Sequence, residues 1–132
     1  MENKITILLV EDQPICRMGI RSTLEHSKLN YQIVAEADTV AKAVGFLEHN
    51  APDIILLDYM LPDGTGMDVI DAAKRMCPHT KIVVFSGEAG GAIVKQLLEK
   101  GINGFMAKSI DSEEIAAVIS AVMEGRDYTG EA

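Results

Sequence analysis

Residues 53–66 read DIILLDYMLPDGTG, and the order of residues in this stretch decides the fold. Ile54, Ile55, Leu56 and Leu57 form a run that is apolar on both faces of a strand, the pattern of a sheet covered on both sides rather than of a half-exposed hairpin. The run stops at Asp58, whose carboxylate needs compensation that an apolar strand end does not supply. Four further runs repeat the theme: ITILLV (5–10), QIVAEA (32–37), KIVVFS (81–86) and GFMAK (104–108). Amphipathic stretches with a period near 3.6 residues lie between them, giving five βα repeats and the expectation of one doubly wound α/β domain.

Helix punctuation supports this division. Pro14 is placed to open the first helix, Asp38 to cap the second, and Asp111 with Glu114 to form a capping box for the last. Gly101 stands where the fourth helix should end in a left-handed cap. The paired Gly90 and Gly91 weaken the first turn of that helix, so the loop after Ser86 is expected to rearrange cheaply. Cys16 and Cys77 have no metal-ligand or redox spacing and fall on helix faces expected to be buried, as reduced thiols. His26, His49 and His79 are scattered near helix ends and read as surface residues.

The chain has 132 residues, 48% of them hydrophobic, and a formal net charge of −8. The length suits one domain. The acidity, with a pI near 4.8, argues against direct duplex binding, which depends on neutralising phosphates with Lys and Arg. The opening MENKITILLVED has an apolar run too short for a signal peptide or a bilayer span, so a cytoplasmic protein is expected. The polar tail EGRDYTGEA reads as the start of a linker, and the domain is expected to fill residues 1–125 with the linker at 126–132.

In an open parallel sheet, ligands collect at the carboxyl ends of the strands. Glu11 and Asp12 follow the first strand directly, Asp58 ends the third, Ser86 the fourth and Lys108 the fifth. Three carboxylates in one pocket repel unless a cation is present. Lys108 offsets part of this, and Mg²⁺, which prefers oxygen ligands and leaves positions for phosphate oxygens, offsets more.

The segments LLVEDQP, IILLDYMLPDGTG, VVFSG and GFMAKS, in this order and spacing, resemble the receiver domain of two-component response regulators over essentially the whole chain. The closing AAVISAVMEGRDYTGEA is similar to receivers that precede a LuxR-type helix-turn-helix output domain. The resemblance implies a flavodoxin-like (βα)5 fold with strand order 2-1-3-4-5. It implies that Asp58 is the phosphoacceptor, with Mg²⁺ held by Glu11, Asp12, Asp58 and the backbone carbonyl of Met60. Ser86 and Lys108 would bind phosphoryl oxygens, and Phe105 would change rotamer with Ser86. Ser86 and Phe105 stand where Thr and Tyr are more usual. Ser109 stands where a cis-proline is typical, which leaves the isomer of the Lys108–Ser109 bond open.

The implied function is a switch rather than a turnover enzyme. It takes a phosphoryl group from a histidine kinase or phosphotransfer protein and alters partner binding or homodimerisation. It would be the regulatory half of a transcription factor, reaching DNA only through an output domain. The alternative is a stand-alone receiver in a phosphorelay. A phosphatase of the haloacid dehalogenase type is disfavoured because the second acid it needs would fall at Met60. A flavodoxin-like electron carrier is disfavoured because no Ser/Thr-rich phosphate loop follows the first strand. Ile15, Met18, Gly19 and Ser22 form a weakly polar strip beside the inward stripe of Cys16, Ile20, Thr23 and Leu24, and this strip is the expected docking face for the phosphodonor.

Overall fold

The apolar runs become five strands: β1 (Ile5–Val10), β2 (Tyr31–Ala37), β3 (Ile54–Asp58), β4 (Lys81–Ser86) and β5 (Gly104–Ala107). They alternate with α1 (Pro14–Glu25), α2 (Val40–Leu47), α3 (Gly66–Met76), α4 (Gly91–Glu99) and α5 (Glu113–Met123). The structure is a computed structural model that describes residues 4–87, 91–107 and 113–126. Every neighbouring strand pair is parallel and the order is β2-β1-β3-β4-β5, the flavodoxin-like arrangement expected. No described helix is long and apolar enough to cross a membrane.

Strand β3 is central, and each of its residues is buried, Asp58 included. Because successive side chains leave a strand on opposite faces, this strand feeds two cores. Ile54 and Leu56 pack with Ile7, Leu9, Val83 and Met106 against Ile20 and Leu24 of α1 and Val118, Ile119 and Val122 of α5. Ile55 and Leu57 join Leu8, Val10, Ile82, Val84 and Phe105 against Leu47 of α2, Ile70 of α3 and Leu97 of α4.

Two helix boundaries follow the sequence. Pro14 occupies the first turn of α1, where its missing N–H costs nothing. Gly101 has φ +90° and its N–H donates to the Leu98 carbonyl at 3.0 Å, closing α4 in the left-handed conformation that glycine adopts without a Cβ penalty. The start of α2 corrects the sequence reading. The N-cap is Thr39, not Asp38: the Thr39 backbone is extended just before the first helical residue, and Oγ1 accepts the Lys42 N–H at 3.1 Å. Asp38 lies one residue too early to reach that donor and instead ion-pairs with Lys42 Nζ at 3.1 Å. Gly90 and Asp111 lie outside the described residues.

The inward stripe of α1 is narrower than expected. Ile20 and Leu24 are buried, whereas Cys16 and Thr23 are only partly so, and Cys16 Sγ meets Gln13 Oε1 at 3.1 Å. Cys77 is buried but follows the last turn of α3 as its C-cap rather than lying on a helix face. All three histidines are exposed.

Truncating the centre of β3 should be costly: Ile55→Ala removes a side chain with 0% exposure, and urea unfolding should show a loss of about 2–5 kcal/mol. Gln32→Ala on the exposed face of the edge strand β2 should stay within about 0.5 kcal/mol of the native chain.

Candidate functional site

Parallel pairing brings the acidic residues together. Val10 pairs with Leu57, so the chain leaves β1 into Glu11 and Asp12 beside the end of β3, where Asp58 pairs with Phe85. One carboxylate oxygen from each of Glu11, Asp12 and Asp58 lies within 4.8 Å of the others. Glu11 is fully buried and Asp58 is 2% exposed, while Asp12 is half-buried at the mouth. Ser86, 3% exposed, follows Phe85 at the end of β4 and pairs with Ala107 on β5. Lys108, the next residue in sequence, lies outside the described residues, as does the Lys108–Ser109 bond. Phe105 is 4% exposed and packed in the core on the α2, α3 and α4 face.

The loops around these acids are tightly hydrogen-bonded. Glu11 Oε2 accepts the Gln13 N–H at 2.9 Å, and the Glu11 N–H donates to the Ala37 carbonyl at 2.9 Å. After β3, the Tyr59 N–H donates to the Phe85 carbonyl at 3.0 Å, and the Met60 N–H reaches Asp58 Oδ1 at 3.3 Å. Met60 and Leu61 then pair antiparallel with Thr65 and Gly64, forming a short ribbon that lies outside the five strands expected from the sequence. Helix α3 leaves this ribbon through a capping box, in which the Met67 N–H donates to Thr65 Oγ1 at 3.2 Å and the Thr65 N–H to Asp68 Oδ2 at 3.1 Å. The spacing of Thr65 and Asp68 carries that signal in the sequence.

Arg17 belongs to the site's surroundings without having been expected there. Its Nη1 donates to the Glu11 carbonyl at 2.8 Å, and its Nε faces Glu36 Oε1 on β2 at 3.5 Å. A cation in the first turn of a helix runs against the macrodipole, and that position is the sequence clue to a specific acceptor.

Magnitudes decide what the acidic cluster needs. Two unit charges 4–5 Å apart interact by roughly 3–4 kcal/mol at an effective dielectric constant of 20. The positive end of a helix returns ~0.3–1 kcal/mol at ordinary sites. The macrodipole of α1 therefore cannot by itself hold three ionised carboxylates together. An oxygen-seeking divalent cation can. The donors are all carboxylate oxygens, and opposite ligands of a magnesium octahedron are roughly 4 Å apart, so the cluster fits one such ion.

The comparisons with known proteins agree with this geometry. Residues 7–120 match the response regulator receiver domain family. The transcriptional regulatory protein NarL of Mycobacterium tuberculosis is 32% identical over 94% of this chain and 57% of its own length. DegU of Brevibacillus brevis is 27% identical over 96% of this chain and 53% of its own. The chain thus spans about half the length of these curated relatives. The crystal structure of a LuxR-family two-component response regulator from Aurantimonas sp. SI85-9A1 superposes with a TM-score of 0.88 at 30% identity, covering 97% of this chain and 91% of that one.

Saturating Mg²⁺ should raise the melting temperature by roughly 5–10 °C at a hundredfold excess over Kd. Asp12→Ala should abolish that shift and raise the melting temperature in EDTA, because it removes repulsion along with a ligand. Calorimetric melts of both chains check the pair of effects.

Proposed function

Because the chain belongs to the response regulator receiver domain family, a group of signalling switches, we propose that it accepts a phosphoryl group on Asp58 from a phosphohistidine donor. The observation that carries this reading is the position of Asp58, 2% exposed at the end of the central strand, with Glu11 and Asp12 oxygens within 4.8 Å. In the transfer, an Asp58 oxygen attacks phosphorus, and the donor P–N bond breaks with its electron pair going to the imidazole nitrogen. Glu11, Asp12, Asp58 and the Met60 carbonyl would hold Mg²⁺, which supplies charge neutralisation for the phosphoryl oxygens. The Ser86 hydroxyl donates to one phosphoryl oxygen and the Lys108 ammonium pairs with another, so the protein positions reactants and spreads charge more than it does covalent chemistry.

Drawing Ser86 toward the phosphoryl group vacates space toward which Phe105 turns. The surface formed by α4, β5 and α5 then changes its affinity for a partner, including a second copy of the chain. Residues 1–125 constitute the receiver, and 126–132 begin the linker to a DNA-binding output domain in a cytoplasmic transcription factor. The names of NarL and DegU as transcriptional regulatory proteins, of which the match to this chain covers only 57% and 53%, support that assignment.

The donor docks on α1. Ile15 is 83% exposed and Met18 58% exposed, and Gly19 and Ser22 beside them are exposed too. The strip lies on the helix that begins at Pro14, just after Asp12 in sequence, and its small residues would let a partner helix approach closely.

Incubation with acetyl phosphate and Mg²⁺, followed by intact-mass measurement, should show one phosphoryl adduct on the native chain and none on Asp58→Asn. An adduct that persists in the variant overturns the assignment. Ile15→Glu with Met18→Glu should slow transfer from a cognate histidine kinase by at least tenfold while sparing acetyl phosphate labelling. Equal loss of both would remove the docking assignment.

A further inference from the structure

The carboxylate of Asp63 spans two elements that the sequence keeps far apart. Its Oδ1 accepts the Val40 N–H at 2.7 Å and its Oδ2 accepts the Ala41 N–H at 3.0 Å, capping the start of α2 from the tip of the ribbon after β3. These two donors also hold its carboxyl below its ordinary value of 3.8, so the clamp is charged at neutral pH. Thr39 takes the next donor, Lys42 N–H, so cap and clamp divide the first turn of α2 between them.

The other end of the ribbon touches the acidic cluster. The Gly66 N–H closes its base on the Tyr59 carbonyl at 2.7 Å, and the Met60 N–H donates to Asp58 Oδ1 at 3.3 Å. The ribbon is also pressed against both helices. A Cβ at Gly64 would come within 2.5 Å of Asp68 Oδ2 and 3.2 Å of Val40 Cγ2, so no side chain fits there while Asp68 caps α3.

We propose that Asp63 is a positioning residue for the metal and phosphoryl site: by docking the Met60–Thr65 ribbon on the start of α2, it fixes the Met60 backbone next to the Asp58 carboxylate. The proposal rests on the assignment of Asp58 as phosphoacceptor and adds a residue that touches neither metal nor phosphoryl group. Asp63→Asn keeps one acceptor oxygen but turns an NH₂ toward the second N–H donor, so the ribbon tip loses its seat. Thr39→Ala weakens the same helix end without touching the ribbon and so separates positioning from simple stability.

The test is Mg²⁺ titration by calorimetry on the 132-residue chain, with melts and Met60 amide shifts recorded for native, Asp63→Asn, Asp63→Ser and Thr39→Ala chains. Asp63→Asn should raise the Mg²⁺ Kd roughly three- to tenfold, less than the ~10–100-fold loss from a partner bonded directly to a ligand. It should also move the Met60 amide resonance. Asp63→Ser, which keeps a single short acceptor, should fall between it and the native chain, and Thr39→Ala should melt lower yet keep the native Kd. A native Kd in both Asp63 variants, or equal Kd changes in Asp63→Asn and Thr39→Ala, overturns the proposal. If the native chain neither binds Mg²⁺ nor takes up a phosphoryl group, the Asp58 assignment itself fails and this proposal falls with it.

Discussion

A carboxylate at the end of a fully buried central strand is the constraint around which this molecule is organised. Asp58 terminates β3, whose preceding side chains supply both cores, so it cannot move outward without disturbing the middle of the sheet. Parallel pairing then fixes its neighbours, because strands that run together end together. Register with β1 delivers Glu11 and Asp12, and register with β4 delivers Ser86. Repulsion among three acids within 4.8 Å exceeds what a helix terminus returns. The cluster therefore suits an oxygen-seeking divalent cation.

Short-range hydrogen bonds tighten the frame set by the sheet. Glu11 is held through its side chain by Gln13 and through its carbonyl by Arg17, while Arg17 and Arg21 both face Glu36 on β2. On the other side of the pocket, the ribbon after Asp58 is anchored to β4, α2 and α3 by bonds from Tyr59, Asp63 and Thr65. The acids are thus held by backbone-directed contacts on two sides, while Asp12 is half-buried and the side chains of Ile15, Met18 and Met60 are exposed.

Much of this was legible in the sequence because its causes are local. Five apolar runs announce the five strands, Pro14 and Gly101 mark helix ends by conformational preference, and acids directly after apolar runs mark the ligand edge of the sheet. What the sequence hid depends on partners distant along the chain or on one-residue offsets. Asp63 caps a helix that starts 23 residues earlier, and no local pattern announces such a bond. Asp38 and Thr39 are both good caps by type, and only the backbone's entry into α2 chooses Thr39. Cys16 sits at the helical spacing of the inward stripe, yet only Ile20 and Leu24 of that stripe are buried, since periodicity specifies the inward face of a helix but not the width of its contact.

The claim that one cation is shared by acids from β1 and β3 is tested most directly by counting and weighing that cation. Mn²⁺, an oxygen-preferring stand-in for Mg²⁺ with a paramagnetic signal, can be titrated into the chain and followed by electron paramagnetic resonance. One bound ion per chain is expected, displaced by Mg²⁺, with affinity falling at least tenfold in both Asp12→Asn and Asp58→Asn. Unchanged binding in Asp58→Asn, or no saturable site in the native chain, would contradict it.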